Sequence, residues 1–332
     1  MRKSIAIFCT SLNVGEEPIT SSYYWEAYLD LLLALKTRGV DAYFTTNNST
    51  YLGNGRFSVG YTTDRRVPHP SNMKAVNDIE AQVVFERAEL APFEGRDVTV
   101  VNPESLRNIA NNKISIYEHF SQFQPYSIVV NSREEIARSA SRIPGQKIVV
   151  KEQEGYGGHG VYILDKNQLH GLPPINYPAL VQEFIDTSVG VPGYGGGVHD
   201  VRMEICGGNI TGYYIRSAKP GSLYSNVHRG GKMTFLPVEH VPMELRQIVG
   251  RIDKVFAPAP RFYAADFAYS NQGWKLIELN DYVGLARQSA AASPGENESA
   301  KTLARLAYYL AECANQDIKT GVLKRLLSAR SH

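Results

Sequence analysis

Apolar residues along the chain gather in short runs of two kinds. SIAIFC, residues 4–9, is an unbroken apolar run of strand length, and VDAYFTT, 40–46, is another. Between them YYWEAYLDLLLALKTRG places its apolar residues at helical spacing, with Ser21 and Ser22 as candidate N-caps and Gly39 as the stop. Strand, helix and strand at this spacing predict a parallel βαβ unit. YLGNGRFSVGY predicts a hairpin turning at Asn54-Gly55, and DVTVVNP a further strand ending at Pro103.

Beyond that proline, PESLRNIANNKISIYEHFSQF and SREEIARSASRI read as helices. KIVVKE and GVYILD read as strands around a glycine loop, and PALVQEFID is a third apolar run. TSVGVPGYGGGVHD breaks the pattern. VRMEIC and NITGYYIRSA then flank Gly207-Gly208 as a hairpin. A polar loop, the helix MELRQIVGRIDKVF, the strands FYAADFAYS and WKLIELN, and ESAKTLARLAYYLAECANQ with a basic helix close the chain. The expected fold class is α/β, in three segments: 1–102, 103–185 and 186–332.

Composition narrows the partners. With 35 basic and 33 acidic residues the net charge is +2, which gives no electrostatic case for nucleic acid or an anionic membrane. Cys9, Cys206 and Cys313 are scattered and lack zinc or disulfide spacing, so a reducing cytoplasm is the expected compartment. The first residues hold too short an apolar run for a secretory signal, and no run is long enough to cross a membrane.

The glycine loop, VVKEQEGYGGHGVYILD, raises the question of a nucleotide. A dinucleotide fold needs a helix to start at such a loop, and VYILD is strand-like. A Walker loop needs Gly-Lys-Ser/Thr, and a protein kinase needs H-R-D and D-F-G; neither is present. What fits is a hairpin whose bare backbone folds over phosphates, with Lys151 just before it. A triphosphate brings magnesium, which takes hard oxygen ligands. Glu278 and Asn280, two apart on one strand, share a face, and a hairpin through Asn271-Gln272-Gly273 would bring Asp266 beside them.

From about residue 100 to 288 these motifs, in this order, resemble the ATP-grasp carboxylate–amine ligases of the glutathione synthetase and ribosomal-protein glutamate ligase type. The resemblance implies an ATP-grasp fold behind an N-terminal βαβ domain. It implies that Lys113 and Lys151 contact the ATP phosphates under a flap formed by Gly155, Gly157, Gly158 and Gly160. Gln182, Glu183 and Phe184 match the adenine-binding hinge, and Glu183 or Asp186 would take the ribose hydroxyls. Arg202, Arg216 and Asn226 match residues beside the γ-phosphate and the acyl phosphate, with Gly230 and Gly231 in a covering loop. Asp266, Glu278 and Asn280 match the metal ligands, for two magnesium ions or manganese in their place. Val283 stands where the family often has proline, while Gly284 is kept.

The implied reaction activates a small-molecule or peptide carboxylate with ATP as an acyl phosphate, then joins it to an amine, releasing ADP and phosphate. A homo-oligomer, dimer or tetramer, is implied likewise. Two other readings are a kinase acting on a hydroxyl and a non-catalytic nucleotide-binding relative; Arg216 with Asn226 favours the ligase. His159 lies in the glycine loop, and His199 and His228 flank the supposed substrate loops, without a role that the sequence assigns. Tyr213, Tyr214 and Tyr224 are candidates for the wall of the substrate pocket.

Overall fold

The computed structural model describes residues 3–9, 22–46, 48–87, 98–155, 157–225, 231–285 and 297–328. The chain forms two compact units. The first is Met1–Pro103 with Pro258–Phe262 and Tyr282–His332; the second is Glu104–Ala257 with Tyr263–Asp281.

In the first unit β1 (Lys3–Cys9), helix α1 (Ser22–Lys36) and β2 (Val40–Thr46) make the expected βαβ unit, with β1 and β2 parallel from Lys3↔Val40 to Cys9↔Thr46. Ile5, Ala6, Ile7, Phe8 and Cys9 are all 0% exposed, which explains why β1 reads as a continuous apolar run: both faces of the strand are covered. The hairpin of β3 (Tyr51–Gly53) and β4 (Arg56–Thr62) turns on Asn54 and Gly55, both at positive φ, as a two-residue turn of that composition requires. β5 (Lys74–Glu80) pairs antiparallel with β4.

β6 (Val83–Glu86) and β7 (Thr99–Val101) extend the sheet on the far side of β1, parallel to it, giving the order β3-β4-β2-β1-β6-β7. Trp25, Leu29, Leu32 and Leu35 of α1 are buried, and the helix packs against the C-terminal helix Glu298–Ser328, which buries Leu303, Leu306, Ala307 and Leu310. Each of these leucines contributes about 1.5–3 kcal/mol by leaving water. The two helices expected at the end of the chain are one.

The second unit starts with α2 (Glu104–Ala110) and α3 (Lys113–Phe120), a pair where the sequence reads as one helical stretch. Asn112 makes the break. Its extended backbone interrupts the helix, and its side-chain oxygen accepts from the N–H groups of Ile114 and Ser115 at 3.0 Å, capping α3. β8 (Ser127–Val130), α4 (Arg133–Ala140), β9 (Lys147–Glu152), β10 (Val161–Asp165) and β11 (Ala179–Glu183) follow. They form an antiparallel sheet in the order β10-β9-β11-β8, around a core of Ile136, Ile148, Val150, Ala179 and Val181.

β12 (His199–Cys206), β13 (Asn209–Ser217), β14 (Lys232–Phe235), helix α5 (Met243–Phe256), β15 (Phe262–Ser270) and β16 (Gly273–Asn280) complete the unit. The second sheet runs β14-β13-β12-β15-β16. Its core face takes Met203, Ile205, Phe267, Leu276 and Leu279 from strands and Ile116, Phe120, Leu245, Ile252 and Phe256 from helices.

Candidate active site

The active-site geometry begins with a β-bulge. Along β16, Trp274 and Leu276 face the core, and strict alternation would put Glu278 there too. The register with β15 slips between Asp266 and Phe267, so Phe267 opposes Leu276 and Asp266 opposes Glu278. Ile277 is the extra residue. After it Leu279 returns to the core, and Glu278 and Asn280 lie on the side away from it. The bulge therefore keeps two polar residues out of an apolar core and sets them opposite Asp266 on the neighbouring strand.

Asp266 is 2% exposed and fully engaged. Arg202 grips it with Nε and Nη2, each at 2.7 Å, and Arg216 Nη2 donates at 2.8 Å. The side-chain amide of Asn280 adds a contact at 3.3 Å. Arg216 also reaches Asp200 through Nε at 2.5 Å, and the Ser225 hydroxyl donates to the other Asp200 oxygen. Burial alone would raise the Asp266 carboxyl, but Arg202 and Arg216 more than offset it and hold it at about 2.

Glu278 shows the opposite outcome. Burial, with the Asp266 charge behind it, raises its carboxyl, and Lys113, Lys151 and Arg202 offset only part. Both lysines are themselves buried. Lys113 Nζ donates to the Gly155 carbonyl at 2.8 Å, and burial lowers its pKa against the pull of Glu278, Glu152 and Glu154. Lys151 Nζ lies 3.4 Å from the carbonyl of the bulged Ile277. Burial brings it down to about 8, Glu278 resisting and Lys113 adding to the fall.

Of these groups Lys113, Lys151, Asp200, Arg216, Ser225, Asp266 and Glu278 line one cleft of about 1050 Å³, open solvent at its mouth included, whereas Arg202 and Asn280 hold Asp266 without lining it. Lys113, Lys151, Gly155, Gly158, Gln182, Glu183, Phe184, Arg216, Asp266 and Glu278, ten of the residues singled out from sequence, face it. Val149, Val161, Ile163 and Ile185 make its apolar wall. Such a mixture, apolar walls with a few convergent polar groups, is the usual form of a small-molecule site. Four cations (Lys113, Lys151, Arg202, Arg216) gather with the carboxylates of Asp200, Glu183, Asp266 and Glu278; the arginines pair with the two aspartates, and the two lysines are the cations that suit phosphate.

The flap joins β9 to β10. Gly155 has φ +124°, and a Cβ there would meet the His159 carbonyl at 2.7 Å, so only glycine fits the turn. Tyr224, from the polar loop after β13, donates to the Val161 carbonyl at 3.4 Å, which ties that loop to the flap strand.

Some expectations change. Tyr213 lies in the helix-packed core and Tyr214 stacks on Phe235 at 5.0 Å, so of the three tyrosines Tyr224 is the one lining the cleft. The Glu183 N–H is committed to the Tyr126 carbonyl at 2.8 Å, and the Gln182 side chain to Ser127. Asp186 is exposed and accepts from the Ser188 N–H at 2.9 Å. Glu183 lines the cleft while accepting from Gln272 at 3.0 Å. Gly157 and Gly160 belong to the flap without lining the cleft. Asn226, His228 and Gly230 lie outside the described residues. Gly231 is described, and a Cβ on it would lie 2.3 Å from the Ser225 carbonyl.

Sequence reasoning gave no structure to 187–198. It is a pinched loop closed by a bridge between Val191 and Gly195, with Tyr194 donating or accepting at 2.7 Å to His240. His199, left without a role, lines the cleft. Its Nδ1 donates to the Gly197 carbonyl at 2.9 Å, and its Nε2 is buried with no hydrogen-bond partner. Asp200, which bridges Arg216 and Ser225, was not singled out from sequence.

Two facing carboxylates and an amide oxygen fit magnesium, which takes hard oxygens and fills the rest of its shell from water and phosphate. Among the described residues no cluster of three or more His, Cys, Asp or Glu side chains gathers as a metal site, so a harder, all-protein cage is absent there.

A cleft between two sheets, floored by carboxylates, lined by two lysines and covered by a glycine flap, defines a nucleotide-dependent enzyme of the ATP-grasp class. A family model described as RimK-like ATP-grasp domain matches residues 114–301. A probable alpha-L-glutamate ligase of Hahella chejuensis is 26% identical over 250 residues, covering 73% of this chain and 76% of that protein. The RimK domain ATP-grasp protein of Sphaerobacter thermophilus shares the fold with a TM-score of 0.57 at 15% identity, covering 91% of this chain and 98% of the other. So does the RiPP-associated ATP-grasp ligase of Chryseobacterium gregarium, solved with ADP and a leader and core peptide, at TM-score 0.59 and 14% identity over 92% and 96%. The chain belongs to the RimK-like ATP-grasp family. It is an ATP-dependent ligase forming amide bonds, in a family that uses ATP and magnesium.

Proposed function

We propose that the enzyme activates the carboxylate of a peptide or amino acid as an acyl phosphate and joins it to the amine of an amino acid, glutamate being the first to test. The convergence of Lys113, Lys151, Arg216, Asp266 and Glu278 on one flap-covered cleft carries this reading. The names of the relatives support glutamate, and the Chryseobacterium complex supports a peptide.

In this reading Lys113 and Lys151 neutralise the β- and γ-phosphates, and the flap excludes water from the reacting phosphorus. Lys113 now spends its ammonium on the Gly155 carbonyl, so nucleotide binding exchanges that contact for phosphate and frees the flap to close. Magnesium, held by Asp266, Glu278 and Asn280, would screen the phosphate charge; one ion or two, or manganese, satisfies the donor set.

Arg202 and Arg216 then turn from Asp266 to the substrate carboxylate, whose planar geometry their forks match. The carboxylate oxygen attacks the γ-phosphorus and ADP leaves. The amine next attacks the acyl carbon, and phosphate leaves with the bond that breaks and takes up the proton that the nitrogen gives up. Arg216 is placed to steady the oxyanion of that second step. The buried Nε2 of His199 is placed to hydrogen-bond with the bound nucleotide or amine.

The test is ADP release with peptides and amino acids offered singly and in pairs, followed by the mass of the product. ADP formed only when acid and amine are both present, with a product lighter than their sum by one water, supports the reading. Phosphate found on a hydroxyl product, with no amide, contradicts it.

A further inference from the structure

Arg87 follows β6 directly, and its N–H donates to the Phe8 carbonyl at 2.8 Å, so it stands at the end of the ladder with β1. Its side chain is 0% exposed. Nε donates to the Tyr28 hydroxyl at 3.0 Å and Nη2 to the Val283 carbonyl. Nη1 is equally buried and has no hydrogen-bond partner. Four rings surround the guanidinium: Tyr282 at 4.6 Å and Phe85 at 5.1 Å from its carbon, Tyr28 and Phe262 at 6.0 Å. Among the described residues no Asp or Glu pairs with it.

The ionisable neighbours cannot supply the missing charge. Burial pushes the Cys9 thiol up to about 12 and raises the Tyr28 hydroxyl, in spite of Arg87 beside both, so each is neutral at physiological pH. Aromatic faces recover only part of what a cation loses on leaving water, and two N–H bonds of Nη1 remain unmet.

The position in the sheet is a second, independent observation. From β1 the chain moves to β2 on one side, while β6 and β7 lie on the other. The topological switch point therefore falls between β1 and β6, and open parallel sheets bind ligands there, beyond the carboxyl ends of the strands. Cys9 ends β1 and Arg87 follows the end of β6.

We infer that the first unit carries a carboxylate-binding site centred on Arg87 at this switch point. The free Nη1 edge offers a planar, charge-assisted bond of the kind a carboxylate accepts, between ring faces that suit a flat group. One positive charge with no second cation beside it balances a monoanion; a divalent phosphate would leave surplus negative charge among aromatic rings. The site goes beyond the reading of the cleft and does not depend on it. Because the guanidinium is closed off from water, the side chains around it part to admit the anion.

The experiment uses the full chain at constant ionic strength, set with sodium chloride. Benzoate, a planar monocarboxylate, and inorganic phosphate are titrated separately by calorimetry and by the thermal unfolding midpoint, for the wild type and for Arg87→Gln and Arg87→Lys. Saturable benzoate binding by the wild type, weakened at least tenfold in Arg87→Gln, with ADP–magnesium binding unchanged, is the expected result. Arg87→Lys keeps the buried charge but not the planar fork, covers the case in which the Gln variant does not fold, and is expected to bind at least threefold more weakly. Benzoate binding equal in wild type and variants, no saturable binding by the wild type, or Arg87-dependent binding of phosphate tighter than of benzoate would overturn the inference.

Discussion

Asp266→Asn isolates the electrostatic centre of the cleft with almost no change of shape. In the wild type this carboxylate, 3% exposed at its side chain, accepts from two guanidinium groups that are themselves 15% and 8% exposed. The amide keeps one acceptor oxygen but no charge. Arg216 retains Asp200, whereas Arg202 loses the carboxylate that its Nε and Nη2 both hold. Leaving a buried cation unpaired costs about 3–5 kcal/mol. For a unit of this size that lowers the unfolding midpoint by roughly 6–20 °C, at 2–4 °C per kcal/mol.

The acid limb gives a second magnitude. The Asp266 carboxyl is held near 2, below its unfolded value of 3.8, so its stabilisation is present above the unfolded value and disappears as pH falls through the folded one. That shift is worth about 2 kcal/mol, lost between about pH 5 and pH 2. Chemical denaturation followed by circular dichroism, at pH 7 and along an acid series, measures both quantities. The reasoning fails if Asp266→Asn unfolds within about 1 kcal/mol of the wild type at pH 7, or if the variant keeps the full acid sensitivity.

Three other outcomes follow from the same structure. Lys151 sits near 8 in the free protein, and phosphate beside it favours its charged form, so binding of ADP at pH 8.5 is expected to take up a fraction of a proton. Calorimetry in buffers of different ionisation enthalpy reads the uptake, which Lys151→Met removes; equal uptake in the variant assigns it elsewhere. Gly155→Ala is expected to lower ligation kcat/KM at least tenfold through the clash with the His159 carbonyl, about 1–3 kcal/mol of backbone and steric strain, whereas Gly157→Ala meets no atom within 4 Å and costs about 1 kcal/mol through its positive φ alone. Steady-state kinetics with the unfolding midpoint as control separates them, and equal losses would contradict the flap geometry. Asn112→Ala removes the cap of α3 and is expected to cost about 1 kcal/mol, with a raised KM for ATP because Lys113 begins that helix; a KM unchanged at that loss of stability would uncouple cap and lysine.

Elements with a clean period could be read from sequence. The βαβ unit, the Asn54-Gly55 turn, α5 and the strands β9, β15 and β16 stand where the apolar pattern puts them. The facing of Asp266 and Glu278 was legible because one hairpin and a period of two suffice to bring them together. The bulge at Ile277, which turns Glu278 away from the core, is a matter of backbone register and leaves no mark on the pattern.

β6 escaped because all four residues of VVFE are buried, so it shows no alternation and is too short to separate from a loop. With β6 missed, Arg87 was an ordinary arginine in sequence and became a buried, half-partnered charge only once its strand was placed beside β1. The break between α2 and α3 was hidden because Asn111 and Asn112 interrupt two helical patterns whose apolar positions run on in phase. The loop 187–198 holds its shape through backbone contacts between residues with little side chain, which composition does not encode.

The central claim, that the carboxylate is activated by direct attack on ATP in the Lys113–Lys151–Asp266–Glu278 cleft, is tested most directly by isotope transfer. The acid substrate is labelled with ¹⁸O in both carboxylate oxygens, and the phosphate released on ligation is examined by mass spectrometry. An acyl-phosphate route places one ¹⁸O atom in that phosphate and leaves the other in the amide. Amide formed with unlabelled phosphate would contradict the account.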